Sequence, residues 1–209
     1  VVNGRGASIG FSVHTGWAAA VTAGGPPRSP VVLDRRRVQL AYSNDTEQAQ
    51  VYHRAADMRL PEATQFLRAA RAAAVDRACA VIGSLRQEHV LLAVGIVASA
   101  GKLPSDLAAI LRSHPLVHTA EGVFYREAIA AAAENCGLAV IFVPARELSD
   151  RFASALRADA ASARGWLQEA GRELGPPWGR DQKDAAAAAL VALVEAGRKK
   201  VSGSRKTTS

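Results

Sequence analysis

Between Val1 and Leu33 the chain carries no aspartate or glutamate. That absence excludes any carboxylate contributed by the opening strands, whatever their register. Aromatic residues are scarce at 5% of 209, so the core must rest on Val, Leu, Ile and Ala. The longest apolar run, Val90 to Gly101, falls well short of the roughly 20 residues a bilayer span needs. It reads as a buried strand, and no membrane partner is expected. Only two cysteines occur, Cys79 and Cys136, both in alanine-rich helical stretches. Their number excludes a disulfide framework, and two helix thiols suit a reducing cytoplasm. No signal peptide and no internal repeat is evident.

What is present is mostly alanine, arginine and charge at one end. The net charge is +7, from 26 basic and 19 acidic residues. Arg198, Lys199, Lys200, Arg205 and Lys206 carry +5 of it, which leaves +2 for all the rest. Residues 198–209 are rich in Ser, Thr, Gly and Lys and read as a disordered basic tail able to hold phosphates nonspecifically. Residues 1–197 read as a single, nearly neutral domain, large enough for an ordinary core.

The apolar pattern places strands at Ala7 to Val13, Trp17 to Ala23, Val31 to Ala41, His89 to Ser99 and Leu138 to Pro144. The third has charges on both faces, which suits a sheet edge. The fourth is apolar on both faces, as a central strand must be. Helices are expected at 47–57, from Pro61 to Leu85, from Pro104 to Arg112 and from Thr119 to Gly137. Thr119 is the expected N-cap of the last of these and Gly137 its stop. Two more run from about Ala145 to Leu174 and from Asp181 to Gly197, divided by "GPPWG". The expected fold is α/β, a five-stranded mixed sheet flanked by helices.

Three meandering strands followed by alternating helix and strand is the order of the ribonuclease H-like fold. Two segments carry a closer resemblance to its RuvC resolvase-like branch. "SVHTGWAAAV" resembles the opening strand-turn-strand, where an acid ends the first strand. "WGRDQKDAAAAALVAL" resembles the last helix, which begins with acids and continues in alanines. Nucleases of this fold hold two divalent metals with carboxylates from the first strand, a middle element and the last helix. The resemblance implies Asp181 and Asp184 as the last-helix carboxylates and Glu121 as the middle one. The first-strand acid is missing, and His14 stands near its place. The resemblance therefore implies a divergent domain.

Three functions follow. The first is a non-catalytic ribonuclease H-like domain that binds a nucleic acid or a phosphorylated ligand. The second is a metal-dependent hydrolase or nuclease with an altered site, its catalytic residues His14, Glu121 and Asp184. Its metal set would be His14, His118, Glu121, Asp181 and Asp184, and a mixed histidine–carboxylate set prefers a zinc- or manganese-like divalent metal to magnesium. The third is a protein-interaction module using the alanine-rich helices after Ala145. In "HPLVHTAE", His114, His118 and Glu121 would share one face of a continuous helix and could bind a transition metal. Pro115 and a cap at Thr119 speak against that continuity. The plainer alternatives are helix-dipole charges for Asp181 and Asp184, a solvated strand face for Arg35 to Arg37, a turn residue for His14 and a core ring for Trp17.

Overall fold

A computed structural model describes residues 6–42, 45–99 and 101–204. Its five strands are β1 (Ala7–His14), β2 (Trp17–Gly24), β3 (Val31–Gln39), β4 (Leu91–Ala98) and β5 (Ala139–Pro144). They form one sheet in the order β3-β2-β1-β4-β5. The first three are antiparallel, whereas β4 and β5 run parallel to β1. β3 is an edge strand, as its charges predict, and Asp34 pairs with Arg36 along one of its faces. The β1–β2 hairpin closes on the pair His14 and Trp17 through Thr15 and Gly16. Gly16 has φ of 81°, a left-handed conformation that a side chain would strain.

The helices are α1 (Thr46–Ala49), α2 (Val51–Ala56), α3 (Leu60–Glu88), α4 (Leu107–Leu111), α5 (His114–Asn135), α6 (Leu148–Leu156), α7 (Ala160–Leu174) and α8 (Arg180–Ser204). α3 and α5 cover one face of the sheet. There Ile9, Phe11, Val94 and Ile96 meet Leu67, Ile82, Leu85 and Ile129. α8 crosses β2, β1 and β4 on the other face, supported by α6. Gly10 and Gly95 pair across β1 and β4 beneath it. A Cβ on Gly10 would collide with the carbonyl oxygen of Ala185, and one on Gly95 with that of Ala188. Glycine and alanine together thus bring helix backbone against sheet backbone. No helix among the described residues is long and apolar enough to cross a membrane.

Four expectations need correction. α5 begins at His114, not at Thr119, because Pro115 lies in the first turn, where its missing N–H costs nothing. Thr119 instead donates its hydroxyl to the Pro115 carbonyl at 2.9 Å. The helix expected from Ala145 to Leu174 breaks at Arg157, whose φ of 53° ends α6, and Asp159 caps α7 by accepting from Ser162 N. The short helix near 47–57 is two pieces, α1 and α2. α8 extends to Ser204, so 198–204 are helical where a disordered tail is expected. Gly197 weakens the helix but keeps a negative φ and does not end it, and Arg198, Lys199 and Lys200 are good helix formers. Residues 205–209, the rest of that expected tail, lie outside the described residues.

Candidate functional site

β1 alternates its side chains between the two faces, so Ser12 and His14 both point toward α8. α8 presents Asp181 in its first turn, where a carboxylate also complements the helix dipole. His14 Nε2–H donates to Asp181 Oδ1 at 2.8 Å, and the Ser12 hydroxyl donates to the same oxygen at 3.2 Å. Asp184 lies one turn further along α8 and pairs with Arg180 at 3.5 Å. Burial pushes the Asp184 carboxyl above its ordinary range; Arg180 opposes that shift and the charge of Asp181 adds to it.

Trp17 is half-buried and packs at the margin of the sheet, not inside the core. The His14 ring stacks on it with centroids 4.3 Å apart and planes 8° apart. The guanidinium of Arg37 lies 3.6 Å from the Trp17 ring centre. The end of β1 therefore offers the imidazole of His14 and the cation of Arg37, both packed on Trp17, beside two carboxylates. Arg35 and Arg36 are not solvated as expected. Arg35 donates to the carbonyls of Leu174, Gly175, Pro176 and Pro177, which otherwise would face solvent at the end of α7. Arg36 is held by Asp34 and by Glu88. Only Arg37 of the three remains exposed.

Glu121 and His118 belong to a second cluster, on the α5 side of the sheet. Glu121 is only 5% exposed. Its carboxylate accepts from the backbone N–H of Val51 (2.9 Å), Tyr52 (2.8 Å) and His53 (3.4 Å), and from His53 Nδ1–H at 3.2 Å. Burial raises its proton affinity, and these donors counteract the rise. Tyr125 strengthens the same junction by donating its hydroxyl to the Ala49 carbonyl at 2.7 Å. His14 and Asp181 thus come together, with Asp184 beside them, whereas Glu121 is turned to α2. Sequence reasoning missed Ser12, although its two-residue spacing from His14 on β1 puts both on one face. It also missed His53, which no local spacing links to α5.

Comparison with known proteins bears on the fold. No protein-family model and no curated protein sequence matches the chain. A solved structure of Thermus thermophilus RuvC in complex with a Holliday junction substrate is similar at a TM-score of 0.52 and 13% identity, covering 92% of this chain and 96% of that one. Another Thermus thermophilus RuvC structure is similar at 0.51 and 14%, with the same coverage. With the strand order above, this likeness shows a ribonuclease H-like fold of the RuvC type.

Proposed function

We propose that this ribonuclease H-like chain binds nucleic acid, or a ligand bearing the same phosphate chemistry, without metal-dependent hydrolysis. One observation carries the reading. Where nucleases of this fold need a β1 carboxylate facing the last helix, Ser12 and His14 face Asp181 and donate to it. A two-magnesium centre does not fit these residues. Magnesium requires near-octahedral oxygen ligands, and the cluster supplies two carboxylates from α8. One of them accepts two protein hydrogen bonds, and the other is paired to Arg180.

The chemistry beside that cluster favours a nucleic acid. An exposed imidazole face stacks bases, and a guanidinium over a ring pairs with phosphate while remaining positioned. His14 and Arg37, each packed on the half-buried Trp17 ring, form such a surface at the end of β1. The Holliday junction bound to the similar RuvC supports nucleic acid as the partner class.

The test is fluorescence anisotropy with branched and single-stranded DNA, alongside cleavage assays in magnesium or manganese. Salt-sensitive binding that weakens several-fold in Arg37→Ala and in Trp17→Ala, with no cleavage, is the expected result. Magnesium-dependent cutting that disappears in Asp184→Asn would overturn the non-hydrolytic part. Binding unaffected by either substitution would remove the proposed surface.

A further inference from the structure

α2 and α5 bring three imidazoles together. His114 and His118 stand one turn apart on α5, and His53 reaches them from α2. A ligand nitrogen from each lies within 4.8 Å of the other two. The rings are steeply inclined to one another, at 68° between His53 and His118 and 87° between His114 and His118.

We infer that His53, His114 and His118 form a binding site for a zinc-like transition-metal ion, positioned by Glu121. A tetrahedral ion with bonds of about 2.0–2.1 Å needs nitrogens about 3.3 Å apart. The trio has to close by no more than about 1.5 Å, within the reach of side-chain rotation. Three neutral imidazoles suit zinc, copper or nickel and not magnesium or calcium. His114 and His118 are exposed, so a fourth ligand can come from water or from a bound molecule.

Glu121 supplies what a preformed site needs around its ligands. Its carboxylate accepts from His53 Nδ1–H, which leaves the Nε2 lone pair available to a metal. A carboxylate behind a ligating histidine fixes the tautomer and raises ligand basicity. The same carboxylate fastens α2 by three backbone N–H groups, so the helix carrying His53 is held against α5 before any ion arrives. His118 and Glu121 lie on adjacent turns of one helix face. The site is independent of the surface proposed at His14.

The test uses the full chain, titrated with zinc by calorimetry and with cobalt by visible absorption. The expected result is one ion per chain and the intense d–d bands of tetrahedral cobalt. His114→Gln and His118→Gln, both exposed positions, should keep the metal-free melting temperature and weaken zinc binding at least about 100-fold. His14→Gln should leave binding unchanged. Glu121→Gln keeps an oxygen acceptor but loses the charge, and should weaken zinc about 10–100-fold and shift the cobalt bands. No tetrahedral cobalt spectrum, or zinc affinity unchanged in both histidine variants, would overturn the site. A sulfur-to-cobalt charge-transfer band lost in Cys79→Ser would do so too, by assigning the ion to the thiols. Affinity and spectrum unchanged in Glu121→Gln would remove its positioning role.

Discussion

The two faces of the sheet are closed by different means. Under α8, backbone meets backbone: Gly10 and Gly95 sit beneath an alanine run with no room for a methyl group. Under α3 and α5, side chain meets side chain, with Phe11, Ile9 and Ile96 filling the space. Each face also carries a histidine–carboxylate pair, and these differ in the same sense. On the α8 side, His14 and Asp181 are both substantially exposed, at 42% and 31% of their side chains. On the α5 side the carboxylate of Glu121 is buried and served by three backbone N–H groups, and only its histidine reaches outward. A carboxylate that anchors a helix is part of the fold. One that meets two side-chain donors at the surface is free to change partners.

That contrast breaks first under added volume. Gly95→Val should cost at least about 3 kcal/mol, because the new side chain meets helix backbone that cannot move without lifting α8. Ile96→Val, the next residue but on the opposite face, should cost about 1 kcal/mol. Urea unfolding of both variants measures the difference. Equal losses would mean that the two faces are packed alike.

The carboxylates give the next largest difference. Glu121→Ala leaves buried N–H groups of α2 without an acceptor and should cost about 2–3 kcal/mol. Asp181→Ala removes an exposed pair and a helix-end charge and should cost less than about 1 kcal/mol. Thermal and urea unfolding of the two variants decide it. A loss in Asp181→Ala as large as that in Glu121→Ala would put Asp181 in the fold and not at a free site.

Arg35 is a smaller test on the α8 side. Its guanidinium forks across four carbonyls at the α7 terminus. Arg35→Lys keeps the charge but cannot span them, and should cost about 1 kcal/mol in chemical unfolding. No loss at all would return this strand face to the solvated role that its sequence suggests.

The sheet was legible because each strand is a short apolar run bounded by turn residues, and β4 is apolar on both faces. α8 was legible from its alanines. The break at Arg157 was not, because a left-handed arginine gives no signal of the kind a glycine gives. His114 and His118 were visible at helical spacing, but Pro115 reads equally as a breaker or as a first-turn residue, and only the structure decides. His53 was invisible for a different reason. It lies on another element, more than 60 residues before His114, and tertiary packing alone joins them. Arg35 was misjudged because a strand arginine with carbonyl partners and one facing solvent have the same sequence.

The smallest expected effect is the absence of one. Millimolar magnesium should leave the melting temperature of this protein unchanged within about 1 °C, since an ion that does not bind the folded state cannot stabilise it. Asp181 Oδ1 already accepts from Ser12 and His14, and Asp184 is desolvated beside Arg180. With no acid from β1, the cluster offers too few oxygens to repay magnesium for its hydration shell. Ser12→Asp supplies the missing carboxylate at the position that already touches Asp181. Without metal it should lower the melting temperature, because two carboxylates then face each other across a hydrogen-bond distance. Magnesium should restore part of that loss in Ser12→Asp while doing nothing for the parent chain. Differential scanning calorimetry with and without the ion reads both arms. A parent chain stabilised by magnesium, with the effect lost in Asp184→Asn, would show that the existing residues hold the ion and that Ser12 and His14 do not close the site.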